Sequence, residues 1–167
     1  MKVGFLSDKN GFRAPLHPDS LKKYNKTQLF VEKDIFQNLD LESKEYKKLK
    51  NLNKSALKEM DVLCFVDSID LSIVKSLKSN AKIIGLYDEK TKKEIRKIRQ
   101  DVALYDFFRL PRISRAQNMD ALSSQANLLG YASVLRASLE TSNVIPMMTT
   151  AAGNISPAKV LILGIGV

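Results

Sequence analysis

Asp61-Val62-Leu63-Cys64-Phe65-Val66 and Lys82-Ile83-Ile84-Gly85-Leu86-Tyr87 are two short apolar runs, each bounded by polar residues. Neither alternates apolar with polar positions, and continuous apolarity over five or six residues predicts strands buried on both faces. Between them, Ser68 to Lys78 predicts a helix, because Ile69, Ile73 and Leu77 recur at four-residue spacing. After the second run, Glu89 to Gln100 predicts a charged helix with Ile95 and Ile98 turned inward, and Val102 to Phe107 a further strand. Strand alternating with helix implies right-handed crossovers and a mainly parallel sheet.

The same alternation extends toward the N-terminus. Lys2 to Leu6 predicts a strand, Lys9 to Pro18 a Gly/Pro loop, Asp19 or Ser20 the cap of a short helix through Tyr24, and Thr27 to Val31 a second strand. Residues 34–60 are rich in Lys, Asn and Leu and predict one or two loose helices with loops. Beyond Pro111 the texture changes. A polar stretch, 112–118, leads into Met119–Thr141, a long segment of high helix propensity with small residues around its circumference. It predicts a spacer helix joining or crossing two domains. Pro146 and Thr149–Gly153 predict a loop, and Lys159–Leu163 a last strand running into Gly164-Ile165-Gly166-Val167.

Composition narrows the function classes. Of 167 residues, 27 are Lys or Arg and 18 Asp or Glu, a net charge of +9. The excess is uneven: residues 1–100 carry 22 cations and 14 anions, and residues 101–167 carry 5 and 4. Twenty of the 27 cations are Lys, interspersed with acids along helix faces, and the 12 aromatics include no Trp. A nucleic-acid surface would cluster its charge, favour Arg and interleave aromatics, so no nucleic-acid partner is expected. A single cysteine, Cys64, excludes an intramolecular disulfide and reads as a buried, unreactive thiol in its apolar strand. A single histidine, His17, leaves no Cys/His metal cluster and reads as structural or solvent-facing beside its prolines. No apolar run approaches the ~20 residues of a membrane helix, so no direct membrane insertion is expected. The N-terminus turns polar after six residues, so no signal peptide is expected, and a soluble protein of a reducing compartment is the reading.

Two stretches invite chemistry. A buried strand running into Gly164-x-Gly166 is how a dinucleotide-binding unit begins, the first Gly for the turn and the second for approach of a pyrophosphate. It is equally a plain strand and turn, because the third Gly, the helix whose N-terminal NH groups hold phosphate and the distal acidic residue are not in the sequence. In the second stretch, Asp120 and Ser123 serve as N-terminal helix residues, Arg112 as a surface ion-pair partner and Gln117 as an exposed loop amide, unless a ligand is held there.

That second stretch, Arg112-Ile113-Ser114-Arg115-Ala116-Gln117-Asn118-Met119-Asp120-Ala121-Leu122-Ser123-Ser124-Gln125-Ala126-Asn127-Leu128-Leu129-Gly130-Tyr131, closely resembles a signature of the proton-translocating NAD(P) transhydrogenase family, in the NAD(H)-binding part of its alpha subunit. Pro146–Gly153, Pro157–Leu161 and Gly164-x-Gly-Val continue the resemblance in register, about 55 residues in all. The related alanine dehydrogenases share the fold but lack the Arg-Ala-Gln run. The first 110 residues resemble the family more loosely. Gly11–Pro18 has the spacing of its early Arg-Val-Ala-x-Ser/Thr-Pro element but departs from it at Phe12, Pro15 and His17. Lys/Asn/Leu sequence around 38–54 replaces a glycine-rich stretch, and Asp67-Ser68-Ile69-Asp70 replaces a basic-x-Pro turn.

The resemblance implies an α/β, Rossmann-like (flavodoxin-like) fold, with a mainly parallel sheet, flanking helices, a long linking helix and the first strand of a truncated second Rossmann domain. It divides the chain into an N-terminal α/β domain (1–115), a linking helix (116–145) and the start of an NAD-binding domain (146–167). It implies that Arg112, Gln117, Asp120 and Ser123 hydrogen-bond the nicotinamide carboxamide, its ribose and neighbouring groups. Tyr131 lies nearby on the helix, and Gly164 and Gly166 belong to the pyrophosphate turn. The implied cofactors are NAD(H) here and NADP(H) on a separate domain or subunit, with hydride passed from NADH to NADP+ and coupled to proton translocation, and with no catalytic side chain and no metal. The implied partners are the Rossmann half, the membrane domain, the NADP-binding domain and a second copy in a homodimer. The implied location is cytoplasmic, at the inner face of the inner membrane when assembled. By itself the chain is expected to be inactive. A non-catalytic interaction or regulatory fragment of the family, and an alanine dehydrogenase relative, are the alternatives.

Overall fold

The structure, a computed structural model, describes residues 1–9, 13–33, 35–36 and 49–164. The core of the helices expected within 34–60, the first two residues of the Gly11–Pro18 element, and Gly166 lie outside the described residues. The chain forms two compact units, Met1–Pro111 and Arg112–Val167.

The first unit is built on a six-stranded, wholly parallel sheet: β1 (Lys2–Phe5), β2 (Gln28–Val31), β3 (Lys50–Asn51), β4 (Val62–Val66), β5 (Lys82–Leu86) and β6 (Ala103–Asp106). Their order across the sheet is β3-β2-β1-β4-β5-β6. Without the two-residue β3, this is the five-strand flavodoxin-like order, and with it the Rossmann order. The expected mainly parallel α/β fold is therefore what forms.

Side chains along each strand alternate between two cores. Leu63, Phe65 and Ile83 enter one core together with Leu57 of α1 (Lys54–Leu57), Val74 of α2 (Leu71–Ser76) and Ile95 of α3 (Glu89–Ile98). Val3, Phe5, Val62, Cys64 and Ile84 enter the other, against Leu16, Leu21 and Ile35. The chirality of crossovers explains the division. Right-handed connections that leave β1 in opposite directions lie on opposite faces, so the β1–β2 segment covers one face and α2 and α3 the other.

Short polar contacts set the helix ends. Asp70 accepts from Ser72 N (2.8 Å) and Asp88 from Thr91 N (2.8 Å), which starts α2 and α3 one residue after each Asp. Capping by Asp70 is also why α2 is shorter than the expected 68–78. Arg99 then ties α3 to the end of α2: its guanidinium donates to Leu77 O (2.8 Å) and Lys78 O (3.1 Å) and pairs with both oxygens of Asp101 (2.6 and 2.7 Å). The short helix beside His17 is a 3₁₀ turn, Pro18–Tyr24, and His17 caps it, Nδ1 accepting from Asp19 N at 3.3 Å.

Two positions show how tightly the sheet is packed. Phe65 and Tyr87 stack with centroids 5.3 Å apart, and a Cβ on Gly85 would lie 2.8 Å from Phe65 O. The strands approach this closely only because residue 85 has no side chain. The Tyr87 hydroxyl is buried among them without a hydrogen-bond partner, and burial pushes its pKa up to about 12.

The second unit has a different character. α4 (Ala121–Glu140) is followed by a hairpin of β7 (Met148–Thr150) and β8 (Gly153–Ile155), paired antiparallel with Thr150 opposite Gly153. This corrects the expected loop at 149–153: Gly153, at φ +129°, makes a turn tight enough for the flanking residues to pair. Lys159–Leu163, expected as a strand, forms none, and Leu161 and Leu163 are more than four-fifths exposed. A strand exists only through its partners, and no described residue pairs with this run. Among the described residues no helix is long and apolar enough to cross a membrane.

Two measurements test the first unit. Tyr87→Phe removes a buried polar atom that has no partner, so it should leave the melting temperature unchanged or raise it. Gly85→Ala must displace backbone and should destabilise by about 1–3 kcal/mol in urea unfolding. A substitution that reversed these signs would show that the Phe65–Tyr87 packing is misassigned. In addition, the carboxyls of Asp61, Asp70, Asp88 and Asp101 are held below the ordinary range, by Lys78, Ser72, Thr91 and Arg99 respectively. A carboxyl with a depressed native pKa stabilises above its unfolded value, near pH 4, and loses that contribution as pH falls. The melting temperature should therefore drop below about pH 4, and Asp101→Asn should lower it at neutral pH while flattening its acid limb.

Candidate functional site

The stretch from Arg112 to Ser124 folds into consecutive turns that bring separated side chains together. Ser114–Met119 forms a 3₁₀ turn, begun by the Ala116 N to Ile113 O hydrogen bond (2.9 Å) and pinned by the buried Ala116. Asp120 stands where this turn gives way to α4. Its own NH closes the 3₁₀ turn on Gln117 O (3.2 Å), and its side chain opens the helix. One carboxylate oxygen accepts from Ser123 N (2.9 Å) and the other from Ser123 Oγ (2.7 Å). Ser124 Oγ donates to Asp120 O (3.1 Å). The two hydrogen bonds from Ser123 hold the Asp120 carboxyl below its ordinary pKa, and the nearby Arg112 charge adds to the shift.

The result is a cleft of about 320 Å³ lined by Arg112, Ile113, Gln117, Asp120, Ser123 and Ser124. Four of the seven expected site residues are in it, brought there by a local turn. Its groups are complementary: guanidinium donors from Arg112, an amide that both donates and accepts from Gln117, a carboxylate and two hydroxyls, and the aliphatic side chain of Ile113. Such a set can orient a planar polar group against an apolar surface.

The other expected residues lie elsewhere. Tyr131 is 67% exposed on α4, about 10 Å along the helix axis from Ser124 at 1.5 Å per residue, and does not line the cleft. Gly164, at φ +81°, has the backbone conformation of a turn glycine, and nothing stands within 4 Å of its missing Cβ. Gly166 is outside the described residues. Ile113 and Ser124 also line the cleft, and their only signal in the sequence is adjacency to the polar residues named above.

Residues outside the cleft resolve as follows. Burial pushes the Cys64 thiol up to about 12, so it remains protonated and unreactive. Arg13 of the early element sits 3.4 Å from Asp8 and 3.7 Å from Asp67. Among the described residues no group of His, Cys, Asp and Glu is placed to hold a metal ion.

No protein-family model matches the chain. It is 35% identical over 147 residues to the first of the polypeptides that make up the NAD(P) transhydrogenase alpha subunit of Rickettsia prowazekii, a match that covers 82% of this chain and 38% of that protein. It is 49% identical over 69 residues to the protein of the same name from Rhodospirillum rubrum, covering 41% of this chain and 18% of that one. Its fold superposes on the crystal structure of transhydrogenase from Sinorhizobium meliloti with a TM-score of 0.80 at 28% identity, over 95% of this chain and 50% of that chain. An L-alanine dehydrogenase shares the fold alone, at a TM-score of 0.51 and 13% identity. The chain thus spans about two-fifths of the first relative and half of the solved transhydrogenase. In sequence and in fold, the chain is a homologue of the N-terminal part of the NAD(P) transhydrogenase alpha subunit.

Proposed function

We propose that the Arg112–Ser124 cleft contacts the nicotinamide end of NAD(H), and that the chain contributes this contact to a transhydrogenase moving hydride from NADH to NADP+ in a reaction coupled to proton translocation. The single observation that supports it is the gathering of Arg112, Gln117, Asp120 and Ser123 around one cleft in a chain with transhydrogenase relatives. NAD(H), when bound, supplies the hydride. Direct transfer between two nicotinamides needs close, oriented rings and exclusion of water, with no side-chain acid or base. The cleft residues suit that task. Arg112 and Gln117 offer donors to a carbonyl or ribose oxygen, Gln117 and Ser123 offer acceptors to an amide, and Ile113 offers an apolar surface to a ring face.

The domain organisation follows from the same reading: residues 1–115 as the N-terminal α/β domain, 116–145 as the linking helix and 146–167 as the start of the NAD-binding half, with Gly164 and Gly166 at the pyrophosphate turn and Tyr131 beside the cofactor. The remaining transhydrogenase parts, including the NADP(H)-binding and membrane domains, are the proposed partners, with a second copy in a homodimer. The assembled protein is placed at the cytoplasmic face of the inner membrane.

A second reading, an interaction fragment without catalysis, is favoured by α4 itself. None of its residues is buried, and Leu128, Leu129, Tyr131, Val134, Leu135 and Leu139 are all exposed. Such a helix is completed by a partner.

One titration separates the readings. NADH is added to the chain alone, and again after the C-terminal half of a transhydrogenase alpha subunit is supplied as a separate polypeptide. Binding that appears or strengthens only in the second preparation supports the cofactor site, and Arg112→Ala should then weaken it about tenfold or more. A folded complex that gains no NADH binding supports the interaction reading and sinks the first. For α4, Leu135→Glu with Leu139→Glu should abolish complex formation in analytical ultracentrifugation while leaving the first unit's melting unchanged.

A further inference from the structure

Asp120 presents its two carboxylate oxygens to a single neighbour, and this constrains what Ser123 can offer a ligand. An ionised carboxylate only accepts hydrogen bonds, so at 2.7 Å the Ser123 hydroxyl must be the donor, and a hydroxyl has one proton. Its remaining capacity is two acceptor lone pairs. The Ser123 backbone NH is likewise committed to Asp120, at 2.9 Å, which fixes the residue in the first turn of α4. Ser123 and Asp120 both line the cleft, with Arg112, which accepts nothing, across the same cleft.

We propose that Asp120 is a positioning residue, acting on the ligand through Ser123 by holding the Ser123 hydroxyl as a hydrogen-bond acceptor at the cleft. The proposal rests on the nicotinamide reading above and deepens it. A cleft that offers an acceptor from Ser123 and donors from Arg112 selects a ligand group carrying an N–H donor and a carbonyl acceptor in one plane. A primary carboxamide has both, whereas a carboxylate has no donor for Ser123.

Replacement of Asp120 by Asn separates this role from helix capping. Asn is as good an N-cap as Asp, so its carbonyl still accepts from Ser123 N and the helix start is kept. Its NH₂ now donates to Ser123 Oγ, which frees the hydroxyl proton and turns Ser123 from acceptor into donor at the cleft. Asp120→Ala, by contrast, removes cap and polarity together.

The test is a double-mutant cycle of Asp120→Asn and Ser123→Ala, read by NADH affinity in whichever preparation of the titration above binds NADH, with the melting temperature measured alongside. The expected result is a loss of about fivefold or more in each single variant, an unchanged melting temperature in Asp120→Asn, and no further loss when Asp120→Asn is added to Ser123→Ala. A loss from Asp120→Asn that persists in the Ser123→Ala background overturns the inference, because Asp120 then acts on the ligand directly or through Arg112. No loss from Asp120→Asn overturns it too. If neither preparation binds NADH, the nicotinamide reading falls and takes this inference with it. A Ser123 amide resonance that fails to follow the Asp120 carboxyl titration in the free chain overturns the inference alone and leaves the cleft reading standing.

Discussion

The central strand β4 is covered on both sides, and the rest of the first unit follows from that requirement. A parallel strand cannot leave one face in water as an antiparallel one can, because each crossover lays chain over a face of the sheet. Leu63 and Phe65 on one side and Val62 and Cys64 on the other therefore need separate covers. The connections provide them because they leave β1 in opposite directions across the sheet. The helices α2 and α3 cover one side, and the Pro18–Tyr24 turn with Leu16, Leu21 and Ile35 covers the other. Arg99, Asp70 and Asp88 then hold the covering helices at fixed ends.

The second unit works under a different constraint. α4 is apolar on several sides yet buries nothing, and the β7–β8 hairpin and the Lys159–Leu163 run are also exposed. Its order comes from local contacts: the Asp120 cap, back-bonds such as Ser133 Oγ to Leu129 O, and the Arg136–Glu140 pair one turn apart. A 20-residue helix can persist on such contacts, but its apolar surface is that of a partner-binding element. The charge distribution is consistent with this division. The Lys-rich surface lies on the first unit, which carries its own core, and the near-neutral second unit presents the apolar surface.

The two units are legible in the sequence to different degrees. β1, β2, β4, β5 and β6 are each readable within about a residue, because an apolar run flanked by Asp, Ser or Lys has few other uses in an alternating chain. β3 is invisible: Lys50 and Asn51 have no strand propensity and are extended only because β2 offers them an edge. The β7–β8 hairpin reads as a loop for the same reason, since Met148 and Ile155 pair across a turn rather than through a local pattern. Lys159–Leu163 fails the opposite way. Its propensity is high, but no neighbouring strand among the described residues satisfies its backbone. In the cleft, Arg112, Gln117, Asp120 and Ser123 are legible as a linear run because the turn that gathers them is itself local.

What the sequence determined by itself was therefore whatever depends on near neighbours: the strand and helix types of the first unit, the capping Asp residues, and the membership of the Arg112–Ser124 loop. The tertiary structure decided what depends on distant partners. It made β3 a strand and left Lys159–Leu163 without one, separated Tyr131 from the cleft, and aimed both oxygens of Asp120 at Ser123. The physical reason is common to all four. Propensity, capping and periodicity act over one or two helical turns, whereas pairing, exposure and the direction of a hydroxyl proton are settled by which groups arrive from elsewhere.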